Sequence, residues 1–157
     1  MVNNYTIGNY FEDFEEGAEI QHLLSKTIFE SDNNLFSLIT MNHHPLHTNI
    51  DYASRSQFGK IVVPGTLVFS LVVGLSVPDI SGKAIANLSY ENIEHLNPTF
   101  VNDTLYAVST IIKKTETSKK PDRGKVLVET LGSNQLGTGV IRFKRLVLIP
   151  KKTKCIN

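Results

Sequence analysis

The feature that most constrains the fold is a nearly unbroken apolar stretch in the middle of the chain, residues 64–77, which reads PGTLVFSLVVGLSV. Drawn as a helix, its apolar side chains occupy every face, and a helix that is apolar all round is buried all round. The β-branched content leaves a strand as the alternative, but fourteen residues opening with Pro-Gly-Thr favour a helix that Pro78 ends. The sequence therefore predicts a central helix that the rest of the chain must cover.

The chain after Gly82 is predicted to be extended. Period-two patterns rich in Val, Ile, Thr and Tyr indicate strands in four segments, 84–96, 104–114, 125–132 and 140–149. The first of these changes phase near Glu91, as a bulged strand does. Residues 134–139, NQLGTG, predict a hairpin turn between the last two strands, and one further strand is expected from Ala18 to Glu30.

Two short helices are expected before the central one. Ser31 or Asp32 is a suitable N-cap for a helix over residues 31–42, which Pro45 interrupts. A second helix is expected over residues 49–58, with Gly59 closing it. The inventory is an α+β fold in which about five mostly antiparallel strands curl around one helix, since only such wrapping buries a helix on most of its faces.

Composition bounds the class of protein. A chain of 157 residues is expected to form one domain, and 16 basic against 15 acidic side chains give a net charge of +1. That balance gives no reason to expect nucleic acid or an anionic membrane as a partner. The single cysteine, Cys155, excludes an internal disulfide, and residues 1–17 lack the pattern of a secretory signal. A soluble, cytoplasmic protein is the expectation.

Histidines are concentrated immediately before the central helix. Residues 41–66, MNHHPLHTNIDYASRSQFGKIVVPGT, carry three of the five histidines together with two prolines and two glycines. A metal site is weighed and not predicted, because Asp51 is the only acidic residue nearby and Pro45 prevents a regular i, i+4 histidine face.

This segment resembles the hydratase motif of MaoC-like dehydratases, also called (R)-specific enoyl-CoA hydratases. Six positions match the family pattern: Pro45, His47, Ala53, Phe58, Gly59 and Gly65. Two further stretches are similar to other parts of the family, YFEDFEEG at 10–17 and AIANLSYENIEHLNPTFVNDTLY at 84–106. The resemblance implies a single hotdog fold over residues 1–150 with a C-terminal tail at 151–157. In the detail of these stretches the sequence most resembles itaconyl-CoA and mesaconyl-CoA hydratases.

The resemblance also implies roles for residues. The family's catalytic Asp corresponds to Asn42, and an amide cannot take a proton at neutral pH, so acid–base catalysis is assigned to His47 and orientation of water or imidazole to Asn42. The backbone N–H groups of Gly65 and Thr66 are the candidates for polarising a thioester carbonyl. Candidate substrate contacts are His44, Arg55 and Lys60, whereas His22 and His95 are assigned structural or exposed roles. No cofactor is expected, since the acyl-CoA is the substrate, and a homodimer or dimer-based oligomer is expected.

Two other functions stay open at this point. Hotdog proteins include acyl-CoA thioesterases, which need a carboxylate near the helix start, and the chain offers only Asp32, Asp51 and Asp79 between Ser31 and the end of the central helix. The Pro-x-His pattern favours hydration over that chemistry. Asn42 keeps open a non-catalytic acyl-CoA-binding or assembly subunit.

Overall fold

The computed structural model describes residues 7–118 and 120–152. A 3₁₀ turn at Phe11–Asp13 precedes six strands and four α-helices. In chain order the elements are β1 (Glu19–Gln21), β2 (Lys26–Thr27), α1 (Glu30–Ile39), α2 (Pro45–Thr48), α3 (Ile50–Ser54), α4 (Gly65–Ser76), β3 (Ala86–His95), β4 (Thr104–Glu116), β5 (Arg123–Ser133) and β6 (Gly139–Pro150). Residues 1–6 and 153–157, which include Cys155 and most of the expected tail, lie outside the described residues.

The strands form one antiparallel sheet in the order β1-β4-β5-β6-β3, and β2 pairs with the start of β4. The β5–β6 connection is the hairpin that NQLGTG predicts, closed by a 3.0 Å hydrogen bond from the Asn134 N–H to the Thr138 carbonyl. β3 lies at the edge of the sheet and is offset by one residue against β6 between Glu91 and Glu94, where Asn92 has φ +50°. The predicted phase change near Glu91 is therefore confirmed as a bulge.

The sheet curves around α4, and the core lies between them. Buried side chains of α4 pack against inward-facing side chains of the strands, including Leu67, Val68, Val72, Leu75, Leu105, Ala107, Ile141 and Phe143. The helix approaches β5 so closely that a Cβ on Gly132 would lie 2.7 Å from Cγ2 of Val72. The predicted arrangement of a curved antiparallel sheet on a central helix is confirmed.

The expectation that α4 is buried on every face is wrong. Leu71 and Val73 are only partly buried, and Ser70 and Gly74 are exposed. A single curved sheet covers one side of a helix and part of its flanks, so the opposite side stays accessible in one chain. The helical path also continues past the predicted stop, as a five-residue π-helical turn at Val77–Ser81 that includes Pro78.

The single strand expected from Ala18 to Glu30 is also wrong, since two short strands and the start of α1 occupy this segment. Between β1 and β2 the chain turns inward at His22, which is 4% exposed. The His22 ring bridges Asp79 Oδ2 through Nδ1 at 2.7 Å and Ser109 Oγ through Nε2 at 2.8 Å. This buried contact interrupts the strand and gives His22 a structural role.

The short helices differ from their predicted limits. α1 begins at Glu30, one residue before the expected caps, and Asp32 accepts the Phe29 N–H from inside the first turn. Pro45 starts α2 rather than merely interrupting a helix, because proline fits the first helical position, where no N–H is needed. α3 ends at Ser54 instead of Phe58.

No helix among the described residues is both long enough and apolar enough to cross a membrane.

Candidate active site

The segment between α1 and α4 fixes the orientation of His47. Its Nδ1 donates to the backbone carbonyl of Val62 at 2.6 Å. A carbonyl oxygen only accepts hydrogen bonds, so the proton of the neutral ring lies on Nδ1 and Nε2 carries the free lone pair. The imidazole is half-buried and is therefore held in the tautomer that suits a general base at Nε2.

α1 holds the backbone of this segment through a hydrogen bond. The Nδ2 of Asn33 donates to the backbone carbonyl of His47 at 2.8 Å, and Asn33 is 1% exposed. Asp32 anchors the first turn, accepting from Lys26 Nζ at 2.6 Å and from the Phe29 N–H at 2.9 Å. These two contacts hold the pKa of the Asp32 carboxyl below its usual range, and the hydrogen bond from Lys26 has the larger effect.

A cavity of about 480 Å³ lies between His47 and the start of α4. Four of the predicted site residues line it together: Asn42, His47, Gly65 and Thr66. The remaining lining is Phe58, Val62, Val63, Val68, His95, Leu96, Asn97, Pro98, Thr99 and Val140. The structure thus brings the proposed acid–base residue and the helix start to the wall of one open cavity.

The N-terminus of α4 presents free donors to this cavity. Leu67 and Val68 both donate to the carbonyl of Pro64, at 2.9 and 3.2 Å, so they are the first helical amides with a backbone acceptor in the described chain. The N–H groups of Gly65 and Thr66 precede them and lack an intrahelical acceptor. They carry the positive end of the helix dipole, which favours an oxyanion.

A second cavity of about 360 Å³ lies on the other side of His47. Lys60 lines it, with its Nζ 4.0 Å from the centre of the Phe100 ring, and so do Asn33, Thr48 and Asn102. His47 lines both cavities and therefore lies between them.

Two candidate contact residues lie away from the cavities. His44 caps α2, its Nδ1 accepting the Leu46 N–H at 3.2 Å, and its ring lies 6.0 Å from that of His47. Arg55 is exposed and pairs with Asp51 at 2.6 Å. Neither lines either cavity, so the structure gives no support for direct substrate contact by these side chains.

The sequence interpretation missed the position of His95. Its imidazole lies directly on the first residue of α4, where a Cβ on Gly65 would be 2.5 Å from its Cε1 and 2.7 Å from its Nε2. The absence of a side chain on Gly65 therefore makes room for a second imidazole in the cavity. The phase change near Glu91 was the available signal, since it determines which residues at the end of β3 face inward.

The charge of the cavity beside α4 follows from its lining. It contains two imidazoles and, among the described residues, no Asp, Glu, Lys or Arg. The three carboxylates considered for a thioesterase, Asp32, Asp51 and Asp79, do not line it. Nor is any group of three or more His, Cys, Asp or Glu side chains in the described ranges arranged to hold a metal ion.

The curved antiparallel sheet on a central helix is a hotdog fold. It superimposes with a TM-score of 0.85 on a Mycobacterium tuberculosis protein described as having a double hotdog fold, at 21% identity, covering 96% of this chain and 46% of that one. At the level of sequence, residues 13–134 match the MaoC like domain. The chain belongs to the MaoC-like domain family, which confirms the resemblance in its motif.

Two relatives differ in how much of their own length this chain covers. A mesaconyl-CoA hydratase from Cereibacter sphaeroides is 35% identical over 145 residues, which is 92% of this chain but 42% of that protein. An (R)-specific enoyl-CoA hydratase from Rhodospirillum rubrum is 31% identical over 147 residues and is covered over 94% of its length. The chain thus spans less than half of the first relative and nearly all of the second.

Proposed function

We propose that this chain is an acyl-CoA hydratase or dehydratase that adds water reversibly to the double bond of a short-chain enoyl-CoA. The observation that carries the proposal is the orientation of His47, whose Nδ1–H is held by the Val62 carbonyl while the residue lines the cavity at the start of α4. The relatives named as hydratases support the same chemistry.

The proposed step uses one imidazole for both proton transfers. As the water oxygen bonds to the β-carbon, His47 Nε2 takes a proton from it, and electrons of the double bond move toward the thioester oxygen. The resulting enolate oxygen accepts hydrogen bonds from the N–H groups of Gly65 and Thr66. The imidazolium then returns its proton from Nε2 to the α-carbon, so one water is added and no redox change occurs. Nδ1 keeps its proton throughout, and the proposal includes no cofactor.

Asn42 lines the same cavity as His47 and has the role of orienting water or the acyl group. Its amide can donate and accept hydrogen bonds but does not change charge. A dicarboxylic acyl group, such as mesaconyl or itaconyl, would be repelled by an aspartate at this position and is accepted by an amide. We therefore assign the substrate to the short dicarboxylic enoyl-CoA class, and the relative named mesaconyl-CoA hydratase supports this assignment.

The test is an activity panel with crotonyl-, mesaconyl- and itaconyl-CoA, following loss of the enoyl absorbance and release of free CoA. Wild type should hydrate at least one of them, and His47→Gln should lower kcat by about 100-fold or more, the usual worth of a general acid–base. The control is His43→Gln, because His43 is exposed and lines neither cavity. Release of CoA would instead indicate a thioesterase, and binding without turnover would indicate a non-catalytic subunit.

The proposal includes assembly with a second copy through β3. This ten-residue strand pairs with β6 on one side, and its other edge meets no strand in the described chain. Large apolar side chains on and beside it are exposed, namely Ile85, Leu88, Tyr90, Ile93 and Leu96. An unpaired apolar edge is a template for strand pairing. A second hotdog unit is the occupant we propose, in line with the double hotdog fold of the structural neighbour.

A cytoplasmic location belongs to the same proposal, because a chain with one cysteine needs no oxidising compartment.

A further inference from the structure

We propose that His95 is a specificity-determining residue that binds the free carboxylate of a dicarboxylic acyl-CoA in the cavity beside α4. The inference rests on the proposed function and assigns it a residue that the family pattern does not mark. His95 is exposed, as the sequence analysis expects, and it lines the wall of the cavity beside α4.

The first support is the register of β3. His95 pairs with Ile141, a fully buried residue of the core, and cross-strand partners share a face of the sheet. The preceding residue, Glu94, pairs with the exposed Arg142 and forms a 2.7 Å ion pair with it on the outer face. The imidazole therefore points toward α4, and the neighbouring carboxylate is directed away from the cavity.

The second support is the rigid backbone that follows. The Leu96 N–H donates to the Val140 carbonyl at 2.9 Å, and Asn97 Nδ2 donates to the Gly139 carbonyl at 2.7 Å. Both contacts tie the chain after His95 to β6. They fix the backbone from which the His95 ring projects, so less main-chain freedom is lost when a ligand binds there.

The third support is charge. The cavity offers an anion two imidazoles and the N-terminus of α4, and its described lining contains no carboxylate. His95 is solvent-accessible at the cavity wall and lies in contact with Gly65, beside the amides assigned to the thioester oxygen. In a butenedioic thioester only two carbon atoms separate the thioester carbon from the carboxylate carbon. One such acyl group can therefore reach the amides and the imidazole together.

The test measures binding with two saturated thioesters that cannot be hydrated. Succinyl-CoA and butyryl-CoA have acyl chains of the same length, and only the first carries a terminal carboxylate. Wild type should bind succinyl-CoA more tightly than butyryl-CoA by about ten- to hundredfold, the range for a hydrogen bond to a charged group. His95→Leu should abolish that preference and leave the Kd for butyryl-CoA unchanged within about threefold. His95→Gln, which keeps a donor, should retain part of the preference.

The matched control is His43→Leu, which removes an exposed histidine outside both cavities and should preserve the wild-type preference. The proposal is overturned if wild type shows no preference, or if His95→Leu and His95→Gln weaken both ligands equally. A clear preference without hydration of any enoyl-CoA would contradict the proposed function alone. Hydration of crotonyl-CoA without the preference would contradict the role of His95 alone.

Discussion

At the scale of single residues, the hydrogen bond between His47 and Val62 determines what the imidazole can do. A neutral histidine whose Nδ1 donates to a carbonyl has only Nε2 left for proton transfer. The Asn33 amide holds the backbone of the same residue, so both the ring and its peptide are constrained. Such a side chain is ready for proton transfer before a substrate arrives.

Replacing Asn42 by Asp tests the charge preference of the cavity. Asn42→Asp adds a carboxylate to a lining that has none among the described residues, and it should repel a dicarboxylic acyl group. We expect kcat/KM for mesaconyl-CoA to fall by at least about tenfold more than kcat/KM for crotonyl-CoA, equivalent to about 1.4 kcal/mol of like-charge repulsion. Equal changes for the two substrates would contradict this expectation, and Asn49→Asp, an exposed helix cap that lines neither cavity, is the control.

Arg145 provides a second test at this scale. It is fully buried, donates to Ser76 Oγ at 2.9 Å through Nη2, and leaves Nε without a partner, so burial lowers the pKa of its guanidinium. Replacing a buried charge by an apolar side chain of similar size is often neutral or stabilising. Arg145→Met should therefore unfold at the same temperature as wild type or higher in a thermal melt.

Phe143 is the comparison for Arg145 because it lies two positions away on the same strand and is also fully buried. Phe143→Ala should cost about 3–5 kcal/mol of unfolding free energy, since it leaves a cavity in the core. If Arg145→Met proved as destabilising as Phe143→Ala, the guanidinium would be essential to the fold.

The sequence predicts the residues of the site unevenly, for a physical reason. Asn42, His47, Gly65 and Thr66 meet in one cavity because a local motif and the helix it precedes are close in the chain. His95 comes from a distant strand, so its position depends on register and on one bulge. His44 and Arg55 form local contacts, a helix cap and an i, i+4 ion pair, which composition alone does not distinguish from substrate contacts.

At the scale of elements, α1 is unusual because its polar face is buried and its apolar face is exposed. It buries the polar Asn33 and Ser37 and exposes Leu35, Leu38 and Ile39, which are 61 to 70% accessible. The periodicity correctly predicts a helix, but not which face turns inward. The polar face is buried because Asn33 must reach the backbone of His47, and the exposed apolar face is available to another surface.

The first turn of α1 should respond to acid. Because Lys26 and the Phe29 N–H lower the pKa of Asp32 in the folded state, this group stabilises the fold above the ordinary pKa of aspartate, near 4. That stabilisation is lost as the pH falls through the lower, folded-state pKa. The melting temperature of wild type should therefore drop more between pH 6 and pH 3 than that of Asp32→Asn.

Asp32→Ala measures the same contact at neutral pH. It should cost about 1 kcal/mol, as the loss of a helix cap does. The exposed Asp51→Ala, which removes only a surface ion pair, should cost less. Equal pH dependence of wild type and Asp32→Asn would show that this carboxyl does not stabilise α1.

At the scale of the whole molecule, the described part of the chain leaves apolar side chains uncovered at the edge of β3 and on the outer face of α1. The curved sheet forms as the sequence predicts, but a single chain encloses less of α4 than the apolar pattern of that helix indicates. A sheet extended through β3 into a second unit would continue the same curvature.

The proposed dimer can be tested by adding two lysines to the β3 edge. Leu88→Lys combined with Ile93→Lys should convert a dimer into a monomer, because lysines on an edge strand oppose strand pairing. Light scattering after gel filtration measures the mass of the particle. Leu136→Lys, at an 80% exposed position in the β5–β6 turn, is the control and should leave the dimer intact. A monomeric wild type, or a double variant that stays dimeric, would contradict pairing through β3.

The extra residue at the β3 bulge determines which face of the strand carries His95. Tyr90 and His95 are five positions apart, an odd number, yet they pair with Arg145 and Ile141, which both face the interior. A straight strand would put Tyr90 and Glu94 on one face and His95 on the other. A single-codon deletion at Asn92 would remove the bulge, leave Tyr90 and His95 four positions apart, and so keep the imidazole directed at the cavity. Straightening the strand with all of its residues retained would instead turn the imidazole outward and bring the Glu94 carboxylate to the cavity.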